Sequence, residues 1–190
     1  MEKLIDRFKK EILPKLQSEK NNANIFEVPA IEKVVVSVGV GDYKEDKGAI
    51  EKIVAEVAKI TGQKPKINLS KKAVSAFKLR IGQPVGLTVS LRGPKMYDFL
   101  EKLINIALPR VRDFKGTSLK AFDGQGNYSI GIKDYTIFPE IKYEEVDKSF
   151  GLQVNIKTTA KNDADAKAML SLIGIPFEKT QAGSLKQVRN

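Results

Sequence analysis

The side chains with the clearest chemical potential in this 190-residue chain are the cations between Val57 and Tyr97. That stretch of 41 residues holds nine basic residues and no Asp or Glu, so it accounts for nearly all of the formal charge of +10. Segregated cations attract a polyphosphate backbone, because each neutralised phosphate releases condensed counterions and lowers the free energy of binding. The clustering therefore predicts a nucleic-acid partner rather than a basic face kept for solubility. The nine residues are Lys59, Lys64, Lys66, Lys71, Lys72, Lys78, Arg80, Arg92 and Lys95.

Catalytic and metal chemistry have little support, because the chain contains neither histidine nor cysteine. Their absence removes the commonest general base, the thiolate nucleophile and the usual zinc, copper and haem ligands. It also excludes disulfides, which fits a reducing compartment. The pair Glu144/Glu145 is typical of a solvated face, and Asp163/Asp165 is typical of a helix N-terminus. We therefore expect no catalytic residue, no metal and no cofactor.

Two glycine-rich segments invite a phosphate-binding interpretation. GVG at Gly39–Gly41 lies between a predicted strand and a predicted helix, but Lys44 stands where a third glycine would complete the dinucleotide motif. GQGNY at Gly124–Tyr128 has no motif around it. Both segments are better interpreted as tight turns.

The elements that must position the cations follow from hydrophobic periodicity. Helical spacing predicts a helix over residues 2–20 with a kink at Pro14, and others marked by Ile50–Ile60, Met96–Ala107 and a segment capped by Thr159 or Asn162. Gly62, Pro109 and Gly174 are the predicted helix ends. Strand character is predicted for Ile31–Gly41, for two arms of a hairpin between Lys64 and Arg92, for the residues after the Gly124 turn, and for Leu152–Thr158.

The hairpin carries the basic stretch. Its connection IGQPVG, Ile81–Gly86, contains two glycines and a proline and is predicted to be the projecting tip. Phe77 lies among the cations, where it either stacks on an exposed base or fills the core.

Antiparallel pairing of this hairpin favours an α+β fold: an antiparallel β-sheet with helices packed on one face and an open face for RNA. We expect residues 1–179 to form a single RNA-binding domain and residues 180–190 a disordered or extended C-terminal tail. No apolar run reaches the length of a membrane span, and the opening MEKLIDRFKKEI is amphipathic rather than a signal sequence. The predicted location is the cytoplasm, with no membrane partner.

Four sequence segments resemble the bacterial large-subunit ribosomal protein "L-five" family, and they occur in the order expected for that family. They are TGQKP at Thr61–Pro65, SLRGPKMYDFL at Ser90–Leu100, LINIALPRVRDFKG at Leu103–Gly116 and FDGQGNYSIGIKDYTIFPEI at Phe122–Ile141. The resemblance covers about residues 1–179. It implies a structural, non-catalytic protein that binds 5S rRNA and helps to attach it in the central protuberance, beside 23S-type rRNA and other proteins of that region.

The resemblance also implies two outward contacts. The loop at about Ala73–Val85 approaches the tRNA in the peptidyl site, and the acidic later portion meets a basic ribosomal protein of the small-subunit head. The expected tRNA-contacting residues are Lys72, Ser75, Phe77, Lys78, Arg80 and Gln83. The expected intersubunit residues are Asp134, Glu140, Glu144 and Glu145.

On the 5S rRNA face, the family pattern places polar groups at the positions of Ser37, Gln63 and Ser90. The family has an Asn at position 37, so the shorter serine loses an amide donor and its contact becomes water-mediated or is lost. Ser90 retains the hydroxyl of the family's Thr. With neighbouring cations, the expected 5S rRNA-binding residues are Ser37, Gln63, Lys64, Lys66, Ser90 and Arg92.

Two other classes stay open from the residues alone. One is a general RNA-binding or chaperone protein that acts outside the ribosome, or a DNA-binding protein. The other is a carboxylate-dependent enzyme acting on nucleic acid, which the acidic residues and glycine loops permit but do not favour.

Overall fold

A five-stranded antiparallel sheet forms the centre of the protein, with its strands in the order β2-β3-β1-β5-β4. The structure, a computed structural model, describes residues 3–19, 24–141 and 150–178. It confirms the predicted α+β fold. The strands are β1 (Ile31–Gly39), β2 (Lys66–Leu69), β3 (Pro84–Leu91), β4 (Tyr128–Ile132) and β5 (Leu152–Thr158), and the α-helices are α1 (Leu4–Arg7), α2 (Leu13–Glu19), α3 (Lys47–Thr61), α4 (Pro94–Lys102) and α5 (Asp163–Ile173).

The sheet buries one of its two faces. Successive side chains of a strand point to opposite sides, and in β1 the residues Val34, Val36 and Val38 are buried while those between them are partly exposed. The same alternation runs through β3, β4 and β5. Buried residues of the helices join these strand residues in one hydrophobic core. The helices therefore cover one face, as predicted, and among residues 3–19, 24–141 and 150–178 no helix covers the other.

Two helical segments widen into π-helical turns, each ending two residues before a proline. Phe8–Ile12 joins α1 to α2 ahead of Pro14, and Leu103–Ala107 continues α4 ahead of Pro109. Proline lacks an N–H, and its ring clashes with the carbonyl four residues earlier, so a wider turn accommodates it without ending the helical path. The sequence predicts a kink at Pro14, and the structure has the π-helical turn Phe8–Ile12 just before this proline.

The predicted helix ends are found at α3 and α5. Gly62 and Gly174 follow the two helices in the left-handed conformation, with φ of 68° and 113°. Of the two candidate caps for α5, Asn162 fills the role, since its Oδ1 accepts the Asp165 N–H at 2.9 Å. The Thr159 hydroxyl instead accepts the Ala30 N–H at 2.9 Å, which ties the end of β5 to β1.

The GQGNY segment is a turn, as interpreted, and a carboxylate anchors it to α5. Asp163 accepts the Gly124 N–H at 3.1 Å and the Gly126 N–H at 2.9 Å. Both glycines have left-handed φ values, 82° and 79°. A Cβ on Gly126 would lie 2.8 Å from the Ala160 carbonyl oxygen, whereas a Cβ on Gly124 would meet nothing within 4 Å. Asp163 therefore stabilises the GQGNY turn by hydrogen bonds and also belongs to the first turn of α5.

These two glycines give a matched test of the turn. Gly124→Ala introduces only left-handed strain and is expected to lower the free energy of unfolding by about 1 kcal/mol. Gly126→Ala adds a clash with backbone and is expected to cost about 3 kcal/mol. Urea unfolding followed by circular dichroism measures both, and equal m-values allow the midpoints to be compared. Equal losses for the two variants would contradict the packing of Gly126 against Ala160.

Candidate nucleic-acid interface

The open face of the sheet is polar and nearly free of negative charge. Glu32 is the only Asp or Glu in the five strands. Since residues of one strand that face the same side are two apart, the register defines the open face. Its residues on β1, β3 and β5 are Lys33, Val35, Ser37, Gly39, Gly86, Thr88, Ser90, Gln153, Asn155 and Lys157, and those on the edge strands are Lys66, Asn68, Ser129 and Gly131.

Direct cross-strand pairing arranges these side chains in rows. Ser37 lies opposite Thr88 of β3 on one side and Gln153 of β5 on the other, and Thr88 lies opposite Lys66. The amide of Gln153 thus stands in the same row as Ser37. The next row runs from Ser90 through Val35 to Asn155 and Ser129. The sheet therefore brings together Ser37, Lys66 and Ser90, which the sequence predicts as 5S rRNA-binding residues.

Asn155 is held in place by its neighbours. Its Oδ1 accepts hydrogen bonds from Ser129 Oγ at 2.9 Å and from Gln153 Nε2 at 3.0 Å. Among the residues that the structure describes, its amide nitrogen has no hydrogen-bond partner and remains a donor toward the open side. On the opposite edge, Asn68 Nδ2 donates to Thr88 Oγ1 at 3.2 Å. These bonds fix amide and hydroxyl groups in position on the face, as recognition of a shaped RNA surface requires.

One corner of the open face concentrates charge. Lys157 and Glu32 form an ion pair, with 2.7 Å between Nζ and Oε2. The Lys157 hydrogen bond lowers the pKa of Glu32 below its ordinary value, and Lys33 and Arg92 add smaller attractions that lower it further. The pair is half exposed, so it contributes little to stability. Because the Lys157–Glu32 pair is neutral overall, Lys33 and Arg92 give this corner a net positive charge.

Gln63 stands at the rim of the open face, directly after the left-handed Gly62 that ends α3. Its Nε2 lies 3.5 Å from the Ser90 carbonyl oxygen, at the limit of a hydrogen bond, and the residue is exposed. The Thr61 hydroxyl donates to the Val57 carbonyl at 2.7 Å and lies within 3.0 Å of the Gln63 carbonyl, which stabilises this helix end. Gln63 and the exposed Lys64 are thereby held beside Ser90 and Lys66.

A shallow depression of about 650 Å³ lies at the opposite end of the open face. Four glycines line it, and Cβ atoms built on Gly39 and Gly131 would meet nothing within 4 Å. Without side chains at these positions, a ligand can approach the sheet backbone closely. The four glycines are Gly39, Gly86, Gly131 and Gly151, and the polar side chains around them are Ser37, Asn68, Thr88, Lys133 and Gln153.

The long connection between β2 and β3 projects from one side of the sheet, but its tip differs from the prediction. The segment 81–86 is not the tip, because Pro84, Val85 and Gly86 belong to β3. The tip is a tight turn closed by two backbone hydrogen bonds between Val74 and Leu79, of 2.9 and 3.0 Å. Pro84 opens the strand, a position that proline tolerates, and Gly86 pairs with Gly39 of β1.

The tip itself contains Ser75–Phe77 in a 3-10 turn followed by Lys78 in the left-handed conformation, with φ of 47°. Phe77 is 74% exposed, so the core interpretation of this residue is wrong. Lys72, Ser75, Lys78 and Arg80 are exposed as well. Left-handed backbone at a non-glycine residue carries strain and is concentrated at functional sites.

Gln83 has a structural role in this loop. Its side-chain oxygen accepts the Arg80 N–H at 2.8 Å, and its carbonyl accepts the Ser70 N–H at 2.8 Å. At the tip, Lys44 from the segment before α3 donates to the Phe77 carbonyl at 2.6 Å. These bonds give the loop a defined shape although almost all of its side chains are exposed.

The four acidic residues predicted for intersubunit contact differ in surroundings. Asp134 is exposed and caps a short 3-10 turn by accepting the Thr136 N–H at 3.0 Å. Glu140 forms an ion pair with Lys102, which also donates to the Ile60 carbonyl at the end of α3. Glu144 and Glu145 lie outside the described residues.

Sequence reasoning missed several residues that the sheet places on the open face, namely Lys33, Asn68, Thr88, Ser129, Gln153, Asn155 and Lys157. The signal was present in the alternation LQVNIKT of β5, whose polar positions are Gln153, Asn155 and Lys157. The sequence shows that these three residues share a face, but not that this face lies beside Ser37.

No helix in the part of the chain described here has the length and apolar character of a membrane span.

Comparison with known proteins agrees with the family resemblance of the sequence over nearly the whole chain. The family model described as "Ribosomal protein L5" matches residues 24–80, and the model of the C-terminus of the same ribosomal family matches residues 84–177. A protein of Halothermothrix orenii named "Large ribosomal subunit protein uL5" is 50% identical over 179 residues, which is 94% of this chain and 100% of that protein. A protein of the same name from Geotalea uraniireducens is 51% identical over 177 residues, covering 93% and 99% of the two chains.

The boundary between the two family models does not divide the fold, since β2 from the first region pairs with β3 from the second in one continuous sheet. With both models matched in order and about half of the aligned residues identical to these relatives, the chain belongs to the ribosomal protein L5 family.

Proposed function

We propose that this protein is a structural component of the large ribosomal subunit and that its open sheet face binds 5S rRNA. One observation carries the proposal: the uncovered face presents amides, hydroxyls and cations in fixed register, and Glu32 is the single carboxylate in the five strands. The role is architectural and non-catalytic, and it is carried out in the cytoplasm, where bacterial ribosomes assemble.

Two kinds of side chain divide the work of binding. Lys33, Lys64, Lys66 and Arg92 lie on or at the edge of the open face and would contact phosphates, which supply salt-dependent affinity without sequence information. The hydrogen-bonded amides and hydroxyls between them would set the position of the RNA. The glycine-lined depression would admit a ribose or base against the sheet backbone.

The loop between β2 and β3 is proposed to contact tRNA in the peptidyl site. Exposed Phe77 would stack on a base or ribose, while Lys72, Lys78 and Arg80 would contact phosphates. Ser75 would add a hydroxyl, and Gln83 would act by holding Arg80.

The acidic portion is proposed to bind a basic protein of the small-subunit head. Asp134, which is exposed, would contact that protein directly. Glu140 would act mainly through its ion pair with Lys102. Other partners proposed are 23S-type rRNA and neighbouring proteins of the central protuberance. We also propose that residues 1–179 act as one RNA-binding unit and that residues 180–190 form a tail.

Asn155→Asp tests the open face with little change in shape. Aspartate retains the oxygen that accepts from Ser129 and Gln153, and it replaces the free donor with a negative charge. We expect 5S rRNA binding to weaken about tenfold or more, because a donor is lost and phosphates are repelled. Filter binding at fixed salt measures the change.

The matched control is Asn105→Asp, the same chemical change at an exposed residue of the helical layer. It is expected to leave binding within about twofold of the unaltered protein. Similar losses for both variants would mean that net charge, rather than the open face, governs binding.

Salt dependence tests the phosphate contacts separately. If six phosphates are engaged, raising salt from 50 to 200 mM is expected to weaken 5S rRNA binding on the order of a thousandfold. The slope of log affinity against log salt should become shallower by about one unit for each contacting cation removed, for example in Lys66→Gln. A flat salt response would contradict this mode of binding.

Lys78→Glu combined with Arg80→Glu tests the loop. Since the loop projects beyond the sheet, we expect 5S rRNA binding to stay within about twofold, while crosslinking of peptidyl-site tRNA to the protein in assembled ribosomes falls several-fold. The control is Lys9→Glu with Lys15→Glu, which changes the total charge equally on the helical side. Equal loss of the two activities in the loop variant would refute the division between loop and face.

A further inference from the structure

Two of the nine phenylalanines in the chain are exposed to solvent. The other seven lie in the hydrophobic core or pack against it. Phe77 belongs to the loop between β2 and β3, which we propose to contact tRNA. Phe26, in a short 3-10 turn before β1, is 96% exposed and lies outside both that loop and the open face. Its whole ring is therefore available to a ligand.

Hydrogen bonds hold the backbone on both sides of Phe26. The Phe26 N–H donates to the Asn24 side chain at 3.0 Å, and the Glu27 N–H donates to the Asn24 carbonyl at 3.2 Å. The two residues after Glu27 are buried. Ala30 then exchanges two hydrogen bonds with Thr159, each of 2.9 Å. The turn that carries the ring is thus fixed before a ligand arrives, which lowers the entropic cost of binding.

Phe26 stands at the end of the sheet where β1 begins and β5 ends. The chain from Phe26 to Ala30 can span at most about 14 Å, and Ala30 is bonded to the end of β5. The charged corner of the open face lies at this same end, because Lys33 pairs with Lys157 across β1 and β5 and Arg92 directly follows β3. An RNA that contacts this corner therefore passes close to Phe26.

The surroundings of Phe26 favour a nucleobase over the apolar pocket of another protein. Aromatic anchors of protein interfaces are surrounded by further contacts that exclude water. Within the described ranges, the other exposed large hydrophobic side chains belong to β2, to the loop after it, or to Ile106 of the helical layer. Glu27 is exposed beside Phe26 and would repel a phosphate there. A base needs only the face of the ring, on which it stacks.

We propose that Phe26 is a further RNA-binding residue, whose ring stacks on an unpaired base of the RNA held by the open face. This contact depends on the proposed binding of 5S rRNA and adds a position beyond the sheet, at its rim. Lys33 and Arg92 would contact neighbouring phosphates while Phe26 holds the base. Phe77 lies at the other end of the sheet, where β2 and β3 are connected, so the two exposed rings would serve two different RNAs.

Substitutions of Phe26 in the full chain distinguish stacking from simple apolar contact. Phe26→Ala is expected to weaken 5S rRNA binding about tenfold. The slope of log affinity against log salt should stay unchanged, because no phosphate contact is lost. Phe26→Leu retains apolar surface without a π system and should lose nearly as much, whereas Phe26→Trp should bind at least as tightly as the unaltered protein. The control Ile106→Ala removes an exposed apolar side chain of the helical layer and should leave binding within about twofold.

The chain contains no tryptophan, so Phe26→Trp also supplies a single indole fluorophore at the proposed contact. Stacking on a base is expected to quench its fluorescence at least about twofold when 5S rRNA is added. Ile106→Trp places the same fluorophore on the helical side, and its fluorescence should stay nearly constant in the same titration.

Unchanged affinity in Phe26→Ala, or constant fluorescence in Phe26→Trp while 5S rRNA binds, would overturn the proposal. Full affinity in Phe26→Leu would overturn it as well, since the contact would then be apolar packing without stacking. Fluorescence that responds to a ribosomal protein but not to 5S rRNA would assign the ring to a protein interface. Each of these results leaves the open face as the binding site if Asn155→Asp still weakens binding. Failure of the unaltered protein to bind 5S rRNA would instead refute both proposals.

Discussion

A sheet that is covered on one face imposes the main constraint on this molecule. Burial of Val34, Val36 and Val38 fixes the register of β1, because a shift by one residue would move every one of them to the solvent. That same constraint places Lys33, Val35 and Ser37 on the open side. The side chains of the open face make little contribution to the core, so their chemistry is free to suit a ligand. Core packing thus determines which side chains lie on the open face. The chemistry of those side chains then determines which ligands the face can bind.

The C-terminal end of α3 connects this helix to α4 and to the acidic segment. At its C-terminus the Ile60 carbonyl accepts a hydrogen bond from Lys102 and the Gly62 carbonyl accepts one from Lys95 at 3.4 Å. Cations at this end complement the partial negative charge of the helix dipole. Lys102 also pairs with Glu140, which joins α3, α4 and the acidic segment. Lys95, one of the nine cations of the Val57–Tyr97 stretch, therefore contacts the end of α3 rather than lying on the open face, and its side chain is exposed.

Much of the fold follows from the sequence, because period-two and helical patterns reflect burial directly. Leu152–Thr158 was predicted to the residue, and Gly62 and Gly174 act as the expected helix ends. The prediction that the hairpin tip lies at IGQPVG is wrong because proline and glycine, which are typical of turns, have another role in this segment. Here they open a strand and allow a close approach to Gly39. The true tip depends on a left-handed lysine, for which sequence carries no signal.

The candidate site depends on strand pairing, which the sequence alone does not give. Ser37 and Ser90 were identified through a resemblance, whereas Asn155 required the register between β1, β5 and β4. Pairing between strands far apart in sequence creates a site that neither strand contains alone.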